Sequence, residues 1–177
     1  MKRFSLLLWI YLASGCTSSI QPHPLPPAPV TGSVYFPPRG EETEAIVREL
    51  NKAQNSILVQ SYSFFSAPVA KALVSAQERG VNVQILLDKS PLTEQYTGAH
   101  IFAKGGISIK IDSAHAIAQN KVMIIDGETI ITGRLKATEN KNAEDLLVIK
   151  DKTFAEKYTK NWQDHERHSL TYKPKGE

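Results

Sequence analysis

The sequence holds one cysteine, Cys16, in 177 residues. That excludes an internal disulfide framework and any cysteine-rich zinc site. Charge of one sign is also lacking, since 21 Lys and Arg stand against 18 Asp and Glu, a net +3. Without Lys2 and Arg3 the balance falls from +3 to +1, so composition argues for no nucleic-acid partner. The apolar run near the start, Leu6 to Leu12, is short of the ~20 residues that cross a bilayer. Proline is scarce outside one stretch: seven of ten lie between Pro22 and Pro38. What remains is 41% hydrophobic and 22% charged, which suits a single globular domain of ~100–200 residues rather than a disordered or collagen-like chain.

Lys2 and Arg3 followed by Leu6–Leu12 read as a secretory signal over residues 1–15. The run ends in Leu12-Ala13-Ser14-Gly15-Cys16, which resembles the lipobox of bacterial lipoproteins. That resemblance implies a lipidated Cys16 as mature N-terminus, anchored to a membrane. It also implies a place in the bacterial cell envelope, periplasm-facing or secreted. The alternative is an ordinary cleaved signal. Residues 16–33 then form a proline-rich tether in extended polyproline II, unable to build a core.

Strand and helix patterns alternate over residues 34–168, followed by a basic C-terminal tail at 169–177. Ser33–Phe36 is β-prone. From Glu41 a helix carries Ile46, Leu50 and Ala53 at helical spacing. Ser56–Ser61 reads as a strand. Ala67–Arg79 reads as a helix with Val69, Ala70, Leu73 and Ala76 inward, stopped by Gly80. Val81, Val83, Ile85 and Leu87 alternate as a strand, as do Ile107, Ile109 and Ile111 after a helix around 93–104. Val122–Ile125 and Glu128–Thr132 flank Asp126-Gly127, a two-residue hairpin signal. Leu146–Ile149 is another strand, and Phe154, Tyr158 and Trp162 mark a closing helix. This alternation predicts an α/β fold with a mixed, mostly parallel central sheet flanked by helices.

The stretch from Ala116 to Ile149 resembles the phospholipase D superfamily, whose hallmark is His-x-Lys, four residues, Asp, then a Gly-Ser. SILVQSYSF, KALVSAQERGVNVQILLDKS, the IIDG hairpin and KNAEDLLVI extend the resemblance from about Val34 to about His165. Small single-motif members, bacterial phospholipases D and secreted endonucleases, are the nearest in kind. In that family one histidine attacks phosphorus, a second protonates the leaving oxygen, lysines hold the phosphate, and no metal or other cofactor is needed. Two motif copies build one site. The single copy at residues 119–126 therefore implies a homodimer acting on phosphodiesters of phospholipid or nucleic acid.

The sequence departs from the family at the chemistry. The histidine position, two before Lys121, is Gln119. Arg134 stands where the family has serine, Lys136 where it has asparagine, and the segment from Gly133 to Asn142 is about three residues short. Lys121, Asp126, Gly133 and Glu144 remain, and Glu144 would orient the histidine in relatives. A glutamine amide neither titrates nor attacks. General acid catalysis is worth 10²–10⁴-fold and a nucleophile on the order of 10⁶, so turnover should be close to abolished. Lys121, Arg134 and Lys136 would still supply three cations for phosphate. A phosphate-binding pseudoenzyme is therefore a second reading, and an eroded remnant a third.

The hairpin predicts geometry. If Asp126-Gly127 is the whole loop, Ile125 faces Glu128, Lys121 faces Thr132 and Gln119 faces Arg134, on one sheet face. Asp126 falls about 16 Å along the strand from Lys121 and reads as a turn former. The five histidines offer no substitute. His115 lies ~13 Å from Gln119 in an extended chain, His23 is in the tether, and His100 is in a loop region. His165 and His168 read as a solvated basic end, without metal-ligand spacing.

Overall fold

Three acidic residues, Glu41, Glu42 and Glu44, open helix α1 (Glu41–Lys52) and Lys52 closes it, each charge complementing its end of the helix dipole. Ala45, Ile46 and Leu50 fall on its buried face, as helical spacing requires. Strand β1 (Thr31–Tyr35) precedes it, and β2 (Ser56–Ser61) follows. Pro68, in the first turn of α2 (Ala67–Glu78), sits where its missing N–H costs nothing. Arg79 caps that helix and Gly80 leaves it at φ +91°. β3 (Asn82–Asp88), α3 (Thr97–Lys104) and β4 (Ser108–Asp112) complete two β-α-β units. The hairpin β5 (Val122–Ile125) and β6 (Thr129–Gly133), β7 (Leu146–Lys150), α4 (Lys152–Arg167) and the short β8 (Leu170–Thr171) follow. The computed structural model describes residues 30–36, 41–61, 66–88, 97–114, 121–133 and 145–173. Cys16 and the signal and tether before residue 30 lie outside that set, as do Gln119, Arg134, Lys136 and Glu144.

The eight strands form one sheet in the order β1-β7-β6-β5-β2-β3-β4-β8. It is mixed, but not mostly parallel as the alternation suggests. Only β2–β3 and β3–β4 pair parallel, while β1–β7, β7–β6, β6–β5, β5–β2 and β4–β8 pair antiparallel. Crossover helices serve the central strands alone. β5 and β6 are joined by a turn too short for a crossover, which forces antiparallel pairing.

Helices α1, α2 and α3 cover one face, where Ile46, Leu50, Leu73 and Phe102 pack against Ile57, Val59, Ile85, Met123 and Ile131. α4 covers the other, with Ala155 and Trp162 against Leu86, Val122, Ile124 and Ile130. Trp162 Nε1 donates to the Val59 carbonyl at 3.0 Å, a buried bond that fixes α4 over the middle of the sheet. The buried stripe of α4 runs through Ala155, Tyr158 and Trp162, leaving Phe154 exposed. Asp151 caps that helix by accepting from Phe154 N at 2.8 Å. The fold reaches past 34–168 at both ends: β1 starts at Thr31, and Leu170–Thr171 pair with β4. Among the described residues no helix is long and apolar enough to cross a membrane.

Candidate active site

Buried polar side chains gather at one end of the sheet. Gln60 and Ser61 end β2, Asp88 ends β3 and Asp112 ends β4, all within 3% of full burial. Lys121, at 8% exposure, leads into β5 at the same end, because Gln60 pairs with Val122. This is the carboxyl edge of the parallel strands, where open α/β sheets bind their ligands. Among the described residues neither amide atom of buried Gln60 has a hydrogen-bond partner, so polar capacity is held in reserve there.

Lys121 is fixed through its main chain: Thr132 Oγ1 donates to its carbonyl at 3.0 Å. The hairpin register differs by one from the two-residue expectation. Asp126 and Gly127 do both take positive φ, +52° and +65°, and Glu128 N donates to the Ile125 carbonyl at 3.1 Å. Yet Ile125 pairs with Thr129 and Val122 with Thr132. Glu128 is an extra residue whose carbonyl accepts from Asp151 N at 2.9 Å, a bulge that shifts the ladder. Continued by one step, the ladder sets Lys121 beside Gly133, not Thr132. Gly133 in turn pairs with Leu146. Gln119, Arg134 and Glu144 are each within two residues of this three-strand row in sequence.

Gly133 explains why the motif carries glycine. Its φ is +105°, and a Cβ there would lie 2.0 Å from the Asp145 carbonyl oxygen. The start of β7 is thus pressed against the end of β6 at the site edge.

Asp126 stands at the opposite end of the sheet from Lys121. Its carboxylate accepts from the N–H groups of Gln54 at 3.0 Å, Asn55 at 2.8 Å and Ser56 at 2.9 Å. Burial alone would raise its pKa, but those three donors, Ser56 foremost, hold it below the ordinary carboxylate range. Its contacts are those of a clasp between hairpin and β2.

His165 and His168 are not a solvated end. His165 Nδ1 is 2.8 Å from Asp112 Oδ2, and His168 Nε2 is 3.1 Å from Asp112 Oδ1. The sequence signals were a His-x-x-His spacing on one helix face and an acid closing the Ile107-Ile109-Ile111 alternation. Their convergence is a tertiary fact. His100 is exposed on α3, and His23 and His115 lie outside the described residues.

Residues 46–165 match the family model described as cardiolipin synthase, PLD-like domain. The chain belongs to the phospholipase D superfamily. It is 39% identical to a phospholipase D of Rickettsia conorii over 133 residues, covering 73% of this chain and 66% of that protein. The chain thus spans slightly under two thirds of that relative. It is 24% identical to the mitochondrial cardiolipin hydrolase of Mus musculus over 167 residues, 90% of this chain and 76% of the other. The phospholipase D family member Nuc from Salmonella typhimurium superposes with a TM-score of 0.74 at 30% identity, over 82% of this chain and 100% of that one.

Proposed function

We propose that this protein carries a phospholipase D-family phosphodiesterase site whose hydrolytic turnover is impaired by Gln119. The observation behind the reading is buried Lys121 at the carboxyl edge of the sheet, its carbonyl held by Thr132 Oγ1 next to the Gly133–Leu146 pair. A buried lysine at that edge suits a phosphate oxygen, since an ammonium donates charge-assisted hydrogen bonds. The substrate class is a phosphodiester, of phospholipid or of nucleic acid. Gln119 offers the phosphorus neither a nucleophile nor a proton, so the covalent step of relatives has no attacking group at that position.

A second reading is a binding protein that holds phosphate without cleaving it. Arg134 and Lys136 favour it, because each replaces a neutral residue of the family pattern with a cation just after Gly133. An eroded remnant that still folds is the third. With one motif copy, the working form in any of these readings would be a homodimer. Cys16 would anchor it by lipid to the cell envelope, with the proline-rich residues ahead of β1 as spacer.

Purified protein assayed on phosphatidylcholine vesicles and on DNA, beside Lys121→Ala, tests the reading. Feeble cleavage abolished by Lys121→Ala supports an impaired enzyme. Salt-dependent DNA binding without cleavage supports the binding protein. Neither cleavage nor binding leaves the remnant.

A further inference from the structure

The geometry points to a divalent transition-metal site, best suited to Zn²⁺, built by Asp112, His165 and His168. It is independent of the phosphodiesterase reading. Two elements converge on it: the end of β4 supplies Asp112, while the last turn of α4 supplies His165 and its cap His168. Helical periodicity brings residues three apart onto one face, and both imidazoles turn a ring nitrogen toward the same carboxylate. His165 presents Nδ1 and His168 presents Nε2. All three ligand atoms lie within 4.8 Å of one another.

The spacing fits the ion after modest side-chain rotation. Zn²⁺ takes imidazole nitrogen and carboxylate oxygen at ~2.0–2.1 Å, and a tetrahedron of that size separates its ligands by about 3.3 Å. The separations of 2.8 and 3.1 Å run to different oxygens of Asp112, and one ligand atom from each residue lies within 4.8 Å of the others, so side-chain rotations that draw the ligands in by up to about 1.5 Å admit the metal. Softer-donor or larger ions fit less well. Cu(I) prefers thiolates, and Ca²⁺ wants six or more oxygens. Two imidazoles and one carboxylate also leave a fourth position for water.

The ligands are held from behind. Asp112 Oδ1 accepts from Ala114 N at 3.0 Å, which orients the carboxylate. Ser169 Oγ donates to the His165 carbonyl at 2.7 Å, and β8 pairs with β4 on the outer side. The imidazoles pack edge to face with centroids 5.6 Å apart. The Asp112 side chain is 1% exposed, His165 14% and His168 38%, so solvent reaches the cluster from the His168 side. One ring nitrogen of each imidazole stands at hydrogen-bonding distance from the carboxylate. A divalent ion would take those nitrogens and the carboxylate oxygen as ligands and offset the carboxylate's charge.

Asp112 shares the carboxyl edge with Lys121, but β3 and β2 intervene between β4 and β5. Three strand spacings make roughly 14 Å, too far for the ion to touch a phosphate held at Lys121. The site is a staple that locks the C-terminal end of α4 to β4.

The test uses the full chain, freed of metal with a chelator. Equilibrium dialysis against Zn²⁺ should give one ion per chain, with unfolding temperature rising on loading. Co²⁺ in its place should give the visible bands of a four-coordinate nitrogen–oxygen site. His168→Ala and His165→Ala should each weaken binding at least about tenfold and remove the bands. His168→Gln guards against a folding defect, checked by circular dichroism of the metal-free protein. Sub-stoichiometric zinc, or zinc binding unchanged in the folded His168 variants, overturns the proposal. So does a six-coordinate cobalt spectrum of the unmodified chain.

Discussion

The carboxylate of Asp126 accepts a hydrogen bond from the backbone N–H of Ser56 at 2.9 Å across a sequence separation of 70 residues. The Ser56 carbonyl accepts from Asp126 N at 2.9 Å in return. Hairpin and β2 are thereby latched at the end of the sheet remote from Lys121. The motif's aspartate belongs to the frame that sets the register of the lysine strand.

Asp126→Ala strips acceptors from three backbone donors and should cost about 1–3 kcal/mol. Urea unfolding followed by circular dichroism measures it. Unchanged stability would contradict the latch.

The same latch gives stability a pH dependence. Asp126 is held below its usual range, and so is Glu49. Burial alone would raise Glu49, but Lys52 at 2.8 Å and Lys150 at 3.5 Å outweigh it. A depressed carboxyl contributes stability that is fully present above its unfolded value of about 4. That contribution is lost as pH falls through the lower folded values. Urea midpoints taken from pH 6 downward should fall below pH ~4, and less steeply in Asp126→Asn.

Glycine positions separate into two kinds. Gly133→Ala meets the Asp145 carbonyl at 2.0 Å as well as an unfavourable φ, whereas Gly80→Ala, at φ +91°, meets nothing within 4 Å. Gly80→Ala should cost about 1–2 kcal/mol from backbone strain alone. Gly133→Ala should cost about 3 kcal/mol or more. Thermal unfolding of the two variants side by side checks the ranking.

Trp162→Phe keeps the ring against Val122 and Ile124 but leaves the buried Val59 carbonyl without its Nε1 donor. A loss of about 1–3 kcal/mol follows, readable by urea unfolding.

Much of this fold is legible in the sequence, for local reasons. The strand at 56–61 and the helix from Ala67 stand out because Gly80, Pro68 and clean periodicities punctuate them. Strand direction is less legible: it depends on which strands a crossover can reach, and β1 and β8 add antiparallel edges that no local pattern reveals. The bulge at Glu128 is invisible locally because Asp151, 23 residues on, takes its carbonyl. Phe154 belongs to the expected apolar stripe by spacing, yet the sheet contacts Ala155 instead. At the site, Lys121 and Gly133 are readable from the motif. Asp112 with His165 and His168 is not, because strand end and helix end meet only in three dimensions.

If the cations near the motif hold phosphate, DNA binding should weaken with rising salt, and Lys121→Ala should reduce the slope of log K against log salt by about one. Fluorescence anisotropy of a labelled oligonucleotide measures it. A salt-independent affinity would contradict phosphate recognition.

The direct measurement of impaired chemistry is hydrolysis of DNA and of phosphatidylcholine by the unmodified protein beside its Gln119→His variant, at equal concentration. Impairment at the histidine position predicts that Gln119→His gains at least about 10²–10⁴-fold in rate, and that the gain disappears when Lys121→Ala is added. Unmodified protein that turns over as fast as Gln119→His, and loses that activity with Lys121→Ala, would contradict it.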